Sequence, residues 1–126
     1  MRDIVRPSLH FTPQKGWIND PNGLVFFKGQ YHLFYQYNPY HDNWDSMHWG
    51  HAVSRDLIHW EELEPALVPD MPYDNDKNGG CFSGSVVVHD DQLFLFYTGR
   101  TEAETGIFET QDLAVSKEGS AFAKIE

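Results

Sequence analysis

The chain has 126 residues, which is enough for one ordinary domain but not for two. Its formal net charge of −10 argues against nucleic acid and anionic membranes as partners, because a surface of this sign repels both. The single cysteine, Cys81, cannot form an internal disulfide and argues against a zinc site.

The start of the chain and its hydropathy predict a soluble, cytoplasmic protein. Residues 1–7 contain no apolar stretch that could serve as a signal peptide. No segment reaches the apolar length of a membrane span. A trimmed export signal is the alternative that this pattern leaves open.

Short apolar and aromatic runs separated by turn residues predict an all-β protein. In chain order, the runs predicted as strands are 24–27, 31–37, 49–54, 58–63, 82–89, 92–98, 108–116 and 121–125. Turns are expected at 28–30 and 90–91. Two loop-like insertions are expected over 38–48 and 65–80.

The first four predicted strands recur in the last four with a constant offset of 62 residues. Leu-Phe-Tyr at 33–35 recurs at 95–97, and Ala-Val-Ser at 52–54 recurs at 114–116, without a gap. A repeated four-stranded unit is typical of a β-propeller blade. A β-sandwich with two similar hairpins is the alternative.

We therefore predict the first two four-stranded antiparallel blades of a partial β-propeller. Blade 1 is expected over about 20–63 and blade 2 over about 82–126. Two blades cannot close a ring, and each would expose surface that a neighbouring blade should cover. The rest of the propeller is therefore expected as a continuation of the chain.

The candidate catalytic residue lies in the stretch Trp-Ile-Asn-Asp-Pro-Asn-Gly at 17–23. Its last three residues predict a tight turn immediately before a strand. Asp20 is therefore expected at a strand entrance and, in a propeller, at the mouth of the central channel. The 62-residue offset puts Phe82 at the equivalent position of the second blade. A plain turn without a catalytic role is the alternative for the stretch taken alone.

Six short segments carry a resemblance to a known family, and the similarity runs from about Leu9 to the end of the chain. They are 17–23, Phe-Tyr-Gln-Tyr-Asn-Pro at 34–39, His-Trp-Gly-His-Ala at 48–52, Asp-Leu-Ile-His-Trp at 56–60, Phe-Ser-Gly-Ser at 82–85 and Tyr-Thr-Gly at 97–99. In this order they resemble the invertase and β-fructofuranosidase family of glycoside hydrolases. That family includes sucrose-6-phosphate hydrolases and fructan hydrolases.

The resemblance implies a five-bladed β-propeller that hydrolyses β-fructosidic bonds with retention and needs no metal or organic cofactor. Asp20 matches the family's nucleophile. A retaining glycosidase also needs a second carboxyl group, which protonates the leaving oxygen. The family's contacts to its small carbohydrate substrate match Trp17, Asn19, Gln36, Trp44, Phe82 and Ser83. Amides and hydroxyls suit sugar OH groups, and aromatic faces suit the C–H patches.

Two elements of the family have no match in this chain. The family's transition-state stabiliser lies in an Arg-Asp-Pro motif, and its general acid/base lies in a Glu-Cys motif. Arg55-Asp56 is followed by leucine, and Cys81 is preceded by glycine, so neither pair fits. Both motifs are expected beyond Glu126, and the isolated chain is expected to be inactive.

Other functions compete with this interpretation. A carbohydrate-binding module that kept the aromatic pocket, or a non-catalytic truncated fragment, would share most of these residues. A metal site is disfavoured because His48 and His51, three apart on a predicted strand, point to opposite faces. No acid–base pattern accompanies Cys81, so a buried thiol is favoured over a nucleophile. The sequence does not choose among sucrose, sucrose 6-phosphate, raffinose and fructans.

Overall fold

A computed structural model describes residues 6–126, so residues 1–5, part of the stretch used to predict the absence of a signal peptide, lie outside the described part. The described residues form two four-stranded antiparallel sheets in which each strand pairs with the next one along the chain. The strands are β1 (Trp17–Phe27), β2 (Gln30–Asn38), β3 (His48–Ser54), β4 (Trp60–Leu67), β5 (Gly80–His89), β6 (Gln92–Ala103), β7 (Gly106–Ser116) and β8 (Ala123–Ile125). The all-β prediction is confirmed. In residues 6–126 there is no helix with the length and hydropathy to cross a membrane.

The predicted repeat is confirmed by the register of the strands. From Gly23 and Ser85 to the hairpin turns, residues 62 apart occupy equivalent positions in the β1–β2 and β5–β6 pairings, and the same holds in β2–β3 and β6–β7 and in β3–β4 and β7–β8. Before Gly23 and Ser85 the registers differ by one residue, because Ile18 pairs with Tyr37 whereas Gly80 pairs with Arg100 and not with Gly99. Examples of equivalent pairs are Phe27–Gln30 and His89–Gln92, Leu33–Ala52 and Leu95–Ala114, and Ala52–Glu62 and Ala114–Lys124. The two sheets are therefore two copies of one blade.

Two-residue turns close the first hairpin of each blade: the turn at 90–91 is as predicted, whereas the turn at 28–29 is one residue shorter than the predicted 28–30, because Gln30 already pairs with Phe27. Lys28 and Gly29 have φ angles of 49° and 82°, and Asp90 and Asp91 have φ angles of 48° and 56°. Positive φ at both central positions matches the twist of the flanking strands. Glycine and aspartate are among the residues that tolerate this conformation best.

The prediction of a tight turn at 21–23 was wrong, because β1 begins at Trp17 and runs through these residues. The β1–β2 register instead shifts between Ile18 and Pro21 and again between Pro21 and Gly23. Proline cannot donate a ladder hydrogen bond, and a bulge accommodates it within a paired strand. The second blade has its own shift nearby, between Phe82 and Ser85.

The fourth strand also differs from its prediction of 58–63, since β4 starts at Trp60 and extends to Leu67 through Pro65. Its pairing with β3 skips from Leu63 to Leu67. Pro65 is therefore bypassed by the ladder on an edge strand, where a missing donor costs little.

The main core lies between the two sheets and draws side chains from both. Its buried members are Phe27, Phe34, Trp49, Leu67, Cys81, Leu93, Leu95, Tyr97 and Ala114. A smaller cluster covers the other face of the first sheet, where Phe11 and Ile18 pack on Tyr35 and Tyr37. Burial between the sheets is what fixes β1 beside β5, the first strand of the second blade.

A neutral histidine pair forms part of the contact between the blades. His32 Nδ1 and His51 Nε2 lie 2.9 Å apart and share one hydrogen bond. The His51 ring meets Phe122 of the second blade edge-on, at 5.5 Å between centroids. Burial lowers the pKa of both imidazoles, that of His51 to about 3, because a charged ring would lose its hydration.

A substitution at Gly23 tests how β1 packs on β5. A Cβ atom added at Gly23 would lie 2.5 Å from Val86 Cγ2. We expect Gly23→Ala to lower the free energy of unfolding by about 1–3 kcal/mol, because overpacking forces the neighbours apart. Adding Val86→Ala removes the closest clash, although Cβ of residue 86 stays 2.8 Å from the added atom, so urea unfolding should show the double variant losing less than the sum of the single losses.

Val87→Ala is the matched control, since Val87 is the exposed neighbour on the opposite face of β5. Its effect should add to that of Gly23→Ala. If the losses of stability from Gly23→Ala and Val86→Ala also simply add, the two strands do not pack as described.

Candidate active site

Asp20 lies on β1 within the first register shift, between Ile18 and Pro21, and its side chain is exposed. Ser83 Oγ of β5 donates a hydrogen bond to Asp20 Oδ2 at 3.0 Å. Residues 63 positions apart thus meet where the two blades adjoin. Because Phe82 directly precedes Ser83, the prediction that Asp20 and Phe82 lie at the same end of the blades is confirmed.

Trp17 and Asn19 form a second contact on the same strand as Asp20. Trp17 Nε1 donates to Asn19 Oδ1 at 2.9 Å, and both side chains are exposed. The bond fixes the indole relative to the amide. An exposed carboxylate, an amide and a flat apolar face therefore lie within four residues, which is a combination that suits a sugar ring.

Phe82 joins the two blades through both its backbone and its ring. Its carbonyl oxygen accepts a hydrogen bond from Trp49 Nε1 at 2.9 Å. The indole of Trp44, in the 39–47 loop, meets its ring edge-on at 5.6 Å between centroids. The structure therefore brings together Trp44 and Phe82, which are 38 positions apart in the sequence.

Gln36 supports this cluster from inside the protein. Its side chain is 2% exposed, and Nε2 donates to the carbonyl oxygen of Cys81 at 2.9 Å. The bond holds the backbone immediately before Phe82. The contact between Gln36 and the substrate stays a prediction. The amide nitrogen of Gln36 already donates to the backbone.

The sequence predicts that Asp20, Asn19, Gln36 and Phe82 converge on one cleft, whereas the structure shows an open surface. Trp17, Asn19, Asp20 and Trp44 are all exposed. A cavity of about 630 Å³ lies elsewhere, with a lining of Gln14, Lys15, Tyr37, Pro39, Tyr40, His48, Glu62, Leu63, Glu64, Pro65 and Val68. The lining of this cavity includes none of the predicted site residues. We therefore place the candidate site at Asp20, because of the chemistry of the side chains there.

Comparison with known proteins identifies the family. Residues 10–126 match the model of the glycosyl hydrolases family 32 N-terminal domain. The chain belongs to glycoside hydrolase family 32. The N-terminal domain of this family is a five-bladed β-propeller, and the two sheets form part of it.

Three relatives and solved structures illustrate what the chain is similar to. The chain is 52% identical to a sucrose-6-phosphate hydrolase of Zymomonas mobilis over 122 residues, covering 94% of this chain and 23% of the relative. It is 51% identical to a Bacillus subtilis levanase over 107 residues, covering 85% of this chain and 15% of the relative. A variant of a Bombyx mori β-fructofuranosidase, solved in complex with sucrose, is 48% identical with a TM-score of 0.84, covering 96% of this chain and 25% of that chain. The chain thus spans at most about a quarter of the length of these three proteins.

Cys81 lies in a buried polar cluster of this family 32 chain. Asp74 Oδ2 accepts from Lys124 Nζ at 2.7 Å and from the Tyr97 hydroxyl at 3.0 Å, and the Cys81 thiol lies 3.6 Å away. Burial raises the pKa of the Cys81 thiol well above its usual value, which keeps it uncharged. The predicted buried thiol is confirmed, and a neutral buried thiol is a poor nucleophile.

Lys124 is charged within this cluster. Burial disfavours its charge, but the neighbouring acidic groups outweigh that effect and raise its pKa. Its ammonium group also contacts Asp70 Oδ1 at 2.6 Å and the Val68 carbonyl oxygen at 2.6 Å. No pattern in the sequence indicates this pairing, since Asp74 lies in the 68–79 connection and Lys124 lies on the three-residue strand β8.

The two histidines considered as metal ligands have separate partners. His48 Nδ1 lies 2.6 Å from the carbonyl oxygen of Ser46, whereas His51 pairs with His32. Over residues 6–126, no group of three or more histidine, cysteine or acidic side chains is arranged to hold a metal ion.

Proposed function

We propose that this chain is the nucleophile-bearing part of a retaining hydrolase that cleaves β-fructosidic bonds, with Asp20 as the nucleophile. The contact between Ser83 Oγ and Asp20 Oδ2, at 3.0 Å, carries the proposal. It joins two motifs of family 32 at one point and orients an exposed carboxylate.

In the proposed reaction, the Asp20 carboxylate attacks the anomeric carbon of the fructosyl unit. The bond to the leaving oxygen breaks as a second carboxyl group donates its proton to that oxygen. The resulting fructosyl ester is hydrolysed by water, with the second carboxylate accepting the proton of the water. Both carboxyl groups return to their starting state, and the configuration is retained.

The second carboxyl group is proposed to come from the continuation of the chain. Asp74, a buried carboxylate in the 68–79 connection between the two blades, is already bound by Lys124 and Tyr97. The exposed apolar side chains Leu24 and Phe26 on the first sheet and Phe96 on the second support further blades on either side.

The proposed substrate contacts are Trp17, Asn19, Gln36, Trp44, Phe82 and Ser83. The names of the relatives support a fructoside such as sucrose, sucrose 6-phosphate or levan as the substrate. Gln36 is proposed to act largely through the backbone of Cys81, because it is almost fully buried.

The test is sugar release by the complete protein that continues this chain. We expect glucose from sucrose, and we expect no release by the isolated 126 residues at equal concentration, because no positioned acid protonates the leaving oxygen. Robust release by the isolated chain would mean that a local carboxyl group, such as Asp74 or Asp76, supplies the acid. Sugar binding without hydrolysis by the complete protein would favour a carbohydrate-binding module.

A further inference from the structure

Arg100 of β6 contacts Phe82 across the hairpin of the second blade. Its guanidinium carbon lies 5.1 Å from the centroid of the Phe82 ring, which is the distance of a cation–π interaction. Phe82 pairs with Thr98, so Arg100 is its diagonal neighbour two residues further along β6. Diagonal neighbours on one face of an antiparallel pair lie within reach of long side chains.

The guanidinium group is itself held in place. Arg100 Nη1 donates to the carbonyl oxygen of Asn78 at 2.6 Å, and Nε lies 3.8 Å from Glu109 Oε1. The loop that carries Asn78 is fixed in turn, because Asp76 Oδ2 accepts from the backbone nitrogen of Glu102 at 2.6 Å. The side chain of Arg100 is only 15% exposed. The guanidinium group of Arg100 therefore has a fixed position beside the Phe82 ring.

Phe82 depends on such contacts because it is only partly buried. It belongs to neither of the two apolar core clusters, so close packing does not set the orientation of its ring. Trp44 contacts the ring from the 39–47 loop, and Arg100 contacts it from β6. Trp44 is itself exposed, whereas Arg100 is anchored.

We infer that Arg100 is a positioning residue that fixes the Phe82 ring for sugar binding. The inference rests on the proposed function, in which the ring covers the apolar face of the fructosyl unit. A ring that contacts the sugar in both the ground state and the transition state contributes uniform binding, which sets KM and leaves kcat unchanged. A planar guanidinium group can stack on the ring and donate to Asn78 at once, which lysine cannot reproduce.

The experiment measures kcat and KM for sucrose in the complete protein. Arg100→Ala should raise KM about tenfold, with kcat within about twofold of wild type. Arg100→Lys should give an intermediate KM, since it keeps the charge and loses the planar contact. In a Phe82→Ala background, both Arg100 substitutions should change KM by less than about twofold, because the group through which Arg100 acts is gone. Arg55→Ala, which removes an exposed arginine, is the control and should leave KM unchanged.

The outcomes separate the inference from the proposed function. A KM increase that persists in the Phe82→Ala background, or a loss of kcat with KM unchanged, would show a general structural role and overturn the inference. If Arg100→Ala does not fold, the same cycle with Arg100→Lys decides. Sucrose hydrolysis with wild-type KM in the Arg100 variants would leave the proposed function standing and remove only the role of Arg100. Absence of hydrolysis by the unmodified complete protein would overturn both.

Discussion

Asp20→Asn, made in the complete protein, should abolish turnover of sucrose while sucrose still binds. Asparagine nearly preserves the shape of the side chain, and its amide oxygen can still accept the hydrogen bond from Ser83 Oγ, now 3.0 Å from Asp20 Oδ2. It lacks the negative charge and the nucleophilicity that form the fructosyl ester. Loss of covalent catalysis and of charge stabilisation should lower kcat by at least about 10³-fold.

Glucose release and calorimetric titration with sucrose, both at equal protein concentration, measure the two halves of this prediction. Asp91→Asn is the matched control, because Asp91 is an exposed aspartate in the hairpin turn at the far end of β5 and β6. Asparagine also tolerates its φ of 56°. The control should retain wild-type kcat. Turnover by the Asp20→Asn protein close to that of wild type would remove Asp20 as the nucleophile.

Most of the blade architecture could be predicted from the sequence because local signals determine it. Strand pairing within each blade follows the chain order, and two-residue turns set the register of the first hairpin in each blade. A repeat offset of 62 then carries the register of one blade onto the other, except before the register shifts in β1 and β5. Asp20 and Phe82 could be placed at one end for the same reason.

Features that depend on tertiary pairing escaped prediction. The Pro-Asn-Gly sequence at 21–23 favours a turn locally, yet pairing with β2 extends the strand through it by bulges. The contacts of Trp44 and Arg100 with Phe82 come from a loop and from a diagonal position across a hairpin. The conformation of such a loop cannot be predicted from periodicity in the sequence.

The buried pair of Asp74 and Lys124 is the clearest such case, because it ties the long 68–79 connection to the last strand. Asp74 is 0% exposed, and its carboxylate is 2.7 Å from the ammonium group of Lys124. Strand β8 has only three residues, so its backbone ladder can contribute little to holding it on β7. We therefore expect Lys124 to anchor this edge of the second blade.

Lys124→Met should lower the free energy of unfolding of the protein by about 3–5 kcal/mol, measured by urea denaturation. The substitution keeps the apolar stem but leaves the carboxylate of Asp74 buried without a counter-charge, which is the most costly way to break such a pair. Adding Asp74→Asn removes the stranded charge and still gives the Tyr97 hydroxyl an oxygen to donate to. The double variant should therefore be more stable than Lys124→Met alone.

Lys77→Met is the control for this cycle, since Lys77 is an exposed lysine of the same connection and its loss should change stability by less than about 0.5 kcal/mol. A loss below about 1 kcal/mol for Lys124→Met would contradict the anchoring role. So would strict additivity with Asp74→Asn, because charges in direct contact couple and independent sites do not. The expected recovery in the double variant would locate the cost of Lys124→Met in the buried, unpaired carboxylate of Asp74.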